Sequence, residues 1–150
     1  KWASSSLRLM VAAASASNTN IQGSLISSPN TGFRGELFAS VAADATGFGN
    51  VHWAVREGHP EGAELTVGLA VFDAGKSNVE HVHPNCEEVV YVLEGEVQHT
   101  LGDGSTRLGP GDLIVVPRGV PHRLINTSGA ACKTYIVFSS PDRQFVPTGR

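Results

Sequence analysis

The chain has 150 residues, 41% of them hydrophobic, and a formal net charge of −3, which suits one domain of the usual ~100–150 residues with a core of its own. Lys and Arg number 11 against 14 acidic residues and cluster nowhere, so there is no electrostatic footprint for nucleic acid or an anionic membrane, and no apolar run approaches the ~20 residues that span a bilayer. The two cysteines, Cys86 and Cys132, stand far apart outside any CxxC spacing, which argues against a disulfide framework.

Residues 1–20 are rich in Ser and Ala and lack any strand or helix period; they read as a flexible leader. A basic start, the apolar residues 9–13 and Ala14-Ser15-Ala16 faintly resemble a targeting peptide. Met10 is the sole methionine, which also suits residues 1–9 placed ahead of a native start. Apart from that leader, the chain is expected to be soluble and cytoplasmic. Residues 21–60 form an N-terminal arm and the first strands: a short strand over 21–26, loops at 31–34 and 44–50, a helical turn over 35–43, and an alternating strand over 51–56. Such an arm pairs with a sheet edge or a neighbouring subunit, since an open edge is a liability.

The main domain is placed at 61–150. Strands are expected over 65–72, 88–93, 96–101, 106–108, 113–116, 123–126 and 133–138. Turn residues recur every ~8–12 positions, the pattern of an antiparallel sandwich or barrel, and no helix-period stretch competes. The fold class is all-β. Residues 139–150 are placed over the surface, with Phe145 as an anchor.

The chemistry concentrates in residues 75–95, GKSNVEHVHPNCEEVVYVLEG. Side chains alternate along a strand, so His81 and His83 share a face and present two imidazoles to one ion. Pro84 and Asn85 turn the chain, and Glu88 at the head of a β-prone run returns a carboxylate to the same point. Glu87 then faces the other way. A further imidazole comes from His122, at the start of a strand after the turn at 117–121. His52, His59 and His99 read as ordinary surface or hydrogen-bonded residues, His99 least so because one face of its strand lines the interior. Gly75, Gly95, Gly111 and Gly119 suit turns that need positive φ. Asn126-Thr127-Ser128 spells a glycosylation sequon by coincidence. Both cysteines read as small buried residues, with an outer-shell or redox-sensitive thiol as the alternative for Cys86 in the ligand hairpin.

These two stretches resemble the paired signature motifs of the cupin superfamily. The first reads Gly75, five residues, His81-x-His83, four residues, Glu88, six residues, Gly95; the second reads Gly111, five residues, Pro117-x-Gly119, two residues, His122, three residues, Asn126. No position departs from the family pattern. The resemblance implies a cupin-type double-stranded β-helix, or jelly-roll, barrel with an irregular N-terminal arm. It also implies one divalent transition metal ion (Fe, Mn, Ni or Zn) on His81, His83, Glu88 and His122, and, from the arm, a homodimer. Three neutral imidazoles and one carboxylate leave such an ion with net positive charge, so an anionic small molecule is the expected ligand. Small cupins with this set include dioxygenases, decarboxylases, lyases and isomerases, with Glu88 as the candidate catalytic base. The run from Asn85 to Leu93 is also similar to the first motif of auxin-binding proteins, which implies the alternative of carboxylate binding without turnover. Val90, Val92, Leu124 and Val115 or Val116 are expected to wall the pocket. Arg34, Arg118 and Arg123 are the cations considered for holding a carboxylate, Arg123 being expected to point away from His122.

Overall fold

The computed structural model describes residues 25–27, 34–36, 41–57, 59 and 61–149, with only the backbone course given for the first two segments. The leader at 1–20 and the start of the strand expected at 21–26 lie outside the described residues. Every regular element among those described is a β-strand. A ribbon pairs β1 (Leu25–Ser27) with β2 (Arg34–Glu36). The rest comprises β3 (Ala43–Thr46), β4 (Gly49–Val55), β5 (Thr66–Phe72), β6 (His81–Val82), β7 (Glu88–Glu94), β8 (Val97–Leu101), β9 (Gly104–Leu108), β10 (Leu113–Val116), β11 (His122–Asn126), β12 (Cys132–Phe138) and β13 (Val146–Pro147).

These strands form two antiparallel sheets, one in the order β10-β7-β12-β5-β4-β3 and one in the order β13-β6-β11-β8-β9. From β5 onward the chain passes repeatedly from one sheet to the other, which is the double-stranded β-helix of a jelly roll. Period-two burial follows from the pleat: β12 buries Cys132, Thr134, Ile136 and Phe138 and turns Lys133, Tyr135 and Val137 outward. The core joins Phe72, Val90, Val92 and Phe138 of the larger sheet to Val97, Leu108 and Leu124 of the smaller. Each such large side chain contributes roughly 1.5–3 kcal/mol on burial.

One expectation for the arm is corrected: the loop placed at 44–50 is occupied by the β3–β4 hairpin. Of the helical turn placed at 35–43, the ends belong to β2 and β3 and residues 37–40 lie outside the described residues. All four side chains of β3 are exposed, so the strand carries no apolar alternation; it exists because its backbone pairs with β4, Ala43 opposite His52 and Thr46 opposite Gly49.

The four motif glycines adopt positive φ: Gly75 at 70°, Gly95 at 85°, Gly111 at 95° and Gly119 at 74°. Gly95 has a second constraint, since a Cβ there would lie 2.6 Å from Cβ of Cys132. Gly95→Ala is expected to cost at least about 2 kcal/mol from left-handed strain plus overpacking, visible as a melting temperature several degrees lower.

Asn126 closes the second motif as a buried knot. Its Nδ2 donates to the carbonyls of Phe72 (3.0 Å), Asp73 (3.0 Å) and Ala130 (2.8 Å), while its Oδ1 accepts from the Ser128 amide (2.9 Å) and hydroxyl (2.6 Å). The residue ties the end of β11 to the end of β5 and the loop before β12. With 1% of its surface exposed, its amide is not available as a glycosylation acceptor.

Candidate metal centre

His81, His83, Glu88 and His122 come together at the interior end of the barrel, all buried, with one ligand atom from each lying within 4.8 Å of the others. His81 sits in β6 opposite His122 of β11, Glu88 begins β7, and His83 follows β6 just before the turn. Hence both sheets supply ligands, and the pairing of β6 with β11 sets two of them side by side.

Each imidazole is oriented through its Nδ1. That atom lies 2.9 Å from the Val79 carbonyl in His81, 2.6 Å from the Gln144 carbonyl in His83 and 2.9 Å from the Val120 carbonyl in His122. A carbonyl only accepts, so Nδ1 carries the hydrogen, and in the neutral ring Nε2 is left with a bare lone pair. Nε2 of His81 and Nε2 of His83 stand 3.2 Å apart, two acceptors facing each other rather than a hydrogen bond. Oε2 of Glu88 is 2.9 Å from Nε2 of His122 and 3.4 Å from Nε2 of His83. Glu88 Oε2 and His122 Nε2 are nevertheless buried without an aligned hydrogen-bond partner. Spacings near 3 Å match adjacent ligands on an ion bonded at ~2.1 Å. The donor set fits a divalent transition metal ion and leaves its own lone pairs unsatisfied otherwise.

The protonation states agree. Burial, reinforced by neighbouring His122, lowers the His81 pKa to about 4, against the opposing hydrogen bond to Val79. Burial pushes the Glu88 carboxyl up, but the close approach and charge of His122 and His83 outweigh it and hold it at about 2. Burial pushes His122 down, and the Glu88 carboxylate more than reverses this, so its pKa is raised. Near neutral pH the site therefore presents an ionised carboxylate and a neutral His81.

Burial above all also lowers His99 to about 4. The metal-free protein is accordingly expected to weaken in acid. Unfolded His residues take up protons near 6.5, whereas His81 and His99 in the folded chain wait until about 4. Their stabilisation is complete above ~6.5 and is lost as pH falls through about 4. His122, shifted upward, opposes this with a contribution lost as pH rises. Thermal melts of the metal-free protein from pH 7.5 to 4 check the sum; a flat profile would contradict it.

The cluster opens onto a cavity of about 230 Å³, below the ~300–1,000 Å³ of pockets for drug-sized ligands and suited to a small molecule. Its walls include Trp53, Phe72, Val90, Leu124, Ile136 and Phe138. Val90 and Leu124 take the places expected of them. Val92 and Val116 are buried without lining the cavity, and Val115 is exposed. His99 lines the cavity too, its ring stacked on His122 at 5.8 Å and 8°. Cys86 and Cys132 are free and buried, off the cavity, and burial raises both thiol pKa values, as befits inert core residues.

The C-terminal segment lies largely exposed over the surface, as expected, with Phe145 as its anchor, and it also joins the smaller sheet. β13 pairs with β6, Val146 opposite Val82 and Pro147 opposite His81. Phe145 stacks on His81 at 4.2 Å and 25°. Asn85 donates to the Asp142 carbonyl at 2.6 Å and accepts from the Gln144 amide at 3.0 Å. Between those two pinned residues, Arg143 enters the cavity wall, its guanidinium carbon 4.9 Å from the ring centroids of both Trp53 and Phe138. Arg118 and Arg123 do not line the cavity, and the side chain of Arg34 lies outside the description. Sequence reasoning missed Arg143: Phe145 two positions on was the sole local signal, and the contact depends on the return of the tail to β6.

A family model described as "Cupin domain" matches residues 68–138, and the uncharacterised protein SCO3923 of Streptomyces coelicolor is 32% identical over 52% of this chain and 72% of its own length. The chain belongs to the cupin superfamily. Germin-like protein 3-8 of Oryza sativa subsp. japonica is 33% identical to this cupin over 72% of the chain and 51% of that protein. Among solved structures, an oxalate oxidase superposes with a TM-score of 0.59 at 20% identity, covering 65% of this cupin and 54% of that chain, a likeness of fold. The cupin thus spans about half the length of the germin-like protein and of the oxalate oxidase. No helix among its described residues is long and apolar enough to cross a membrane.

Proposed function

We propose that this cupin holds one divalent transition metal ion, Fe, Mn, Ni or Zn, on His81, His83, Glu88 and His122, and acts enzymatically on a small carboxylate-bearing molecule in the adjoining cavity. The observation that carries this reading is the convergence of three Nδ1-anchored imidazoles and one ionised carboxylate, with Nε2 of His122 and Oε2 of Glu88 buried without a hydrogen-bond partner. A bound ion supplies Lewis acidity and lowers the pKa of a coordinated oxygen. The chain does the rest. Glu88 balances charge and is the proposed proton acceptor, the apolar walls exclude water and strengthen electrostatic attraction to an anion, and His83 is aimed by the C-terminal segment. The fold likeness to an oxalate oxidase supports a substrate of the short carboxylate class and a reaction of the oxidase, decarboxylase or lyase kind.

The test is to load the protein anaerobically with Fe(II) or Mn(II), add oxalate or another small carboxylate, and follow oxygen uptake and carbon dioxide release. Turnover that disappears in Glu88→Gln supports the enzyme reading. A second reading, carboxylate binding without turnover, has one observation in its favour: apart from the ligand residues, the only imidazole on the cavity among the described residues is His99, which burial holds to a pKa of about 4. In that case calorimetry records metal-dependent binding and the carboxylate is recovered unchanged. The homodimer is also a proposal, supported by the exposed Leu113 and Val115 of edge strand β10; sedimentation at twice the chain mass checks it.

A further inference from the structure

We propose that Arg143 anchors the far carboxylate of a two-ended anion whose near end faces the His81, His83, Glu88 and His122 cluster, so that the cavity selects short dicarboxylates over monocarboxylates. This deepens the proposed function and rests on it.

The cavity is walled mostly by apolar side chains, and among the described residues Arg143 is its one basic side chain besides the imidazoles. Among the described residues the guanidinium has no ion pair and no hydrogen bond to a protein acceptor; what it has instead are the rings of Trp53, Phe138 and Phe145, at 4.9, 4.9 and 5.8 Å. Ring contacts engage a guanidinium through its charge and plane, and its N–H edge remains available for bidentate pairing with a carboxylate. This half-buried cation has no carboxylate within ion-pair distance and feels Glu88 only through space, so an anion arriving in the cavity gives it a direct partner.

The placement is also preorganised. Asn85 holds both neighbours of Arg143, through the carbonyl of Asp142 and the amide of Gln144. The Gln144 carbonyl receives the Nδ1 hydrogen of His83. The backbone that carries the cation is therefore tied directly to a residue of the ligand cluster, and a cavity of about 230 Å³ keeps the two anion-attracting ends within reach of one small molecule.

Metal-loaded wild type, Arg143→Gln and Arg143→Lys are titrated calorimetrically with oxalate, malonate and acetate, with metal content measured on each sample and Trp53 fluorescence as a second readout of occupancy. Oxalate or malonate is expected to bind at least ~10-fold more weakly to Arg143→Gln, with acetate changed less than ~2-fold, metal content unchanged, and Arg143→Lys intermediate because it keeps the charge and loses the fork. Equal weakening for acetate and the dicarboxylates marks a structural role for Arg143 and overturns the inference, as does unchanged dicarboxylate binding. Wild type that holds metal but binds no dicarboxylate overturns the inference alone; wild type that holds no metal overturns the proposed function with it.

Discussion

His83→Ala is expected to abolish the single equivalent of transition metal proposed for wild type, and with it the expected rise in melting temperature on metal addition. A ligand that binds only the folded state stabilises it by about 4 kcal/mol at a free concentration 1,000-fold above its Kd. For a chain of this size that is a shift of roughly 8–16 °C. The alanine removes one of four donors and also cuts the tie between His83 and the Gln144 carbonyl, so the tail loosens in the same variant. His122→Ala separates the two effects, because the Nδ1 of His122 is anchored within its own loop, at Val120. Both variants are expected to lose metal, and only the His83 variant to show faster proteolysis of the C-terminal segment. Elemental analysis alongside differential scanning calorimetry decides it: a full equivalent of metal in either variant would sink the four-ligand site.

Asn126→Ala is expected to destabilise the fold by roughly 3–5 kcal/mol, among the larger effects of a single substitution. Two amide hydrogens are shared among the carbonyls of Phe72, Asp73 and Ala130, and one oxygen serves both donors of Ser128. Alanine strands the buried Phe72 carbonyl and takes the partner from the part-buried groups of Asp73, Ala130 and Ser128, each at about 1–3 kcal/mol where water cannot replace it. Asn126→Asp is no remedy, since it keeps the acceptor but turns a negative oxygen toward three carbonyls. Urea unfolding measures the change; a loss below ~1 kcal/mol would show that the network is dispensable. A correctly folded fraction of either variant retains metal, because Asn126 touches none of the ligands, which distinguishes this defect from loss of the site.

Much of this site was legible before any coordinates. His81-x-His83, Glu88 and His122 act through local geometry: strand alternation puts the two imidazoles on one face, a short turn brings back the carboxylate, and Gly75, Gly95, Gly111 and Gly119 mark turns whose positive φ only glycine adopts cheaply. Strand alternation over β5, β7 and β12 is likewise a local signal of one face meeting a core. Arg143 and the β3–β4 hairpin left no such mark. The side chains of β3 are all exposed, so nothing in their pattern distinguishes a strand from a loop, and Arg143 lies in a Pro-containing tail with no period. Arg118 and Arg123 stand within the second motif and off the cavity, whereas the cation on the cavity wall arrives from 55 positions beyond Glu88 through the pairing of β13 with β6.

The division follows from the range of the forces involved. Residue type and spacing over a few positions set the turns, the facing of side chains and therefore the identity of the four convergent donors, because those depend on covalent geometry and the pleat. How the tautomer of each imidazole is held, what walls the cavity and which cation meets an anion in it depend on contacts between segments tens of residues apart, such as Gln144 with His83 and Arg143 with Trp53. Those contacts exist only once two sheets have closed on a common core, and no short stretch of sequence carries them.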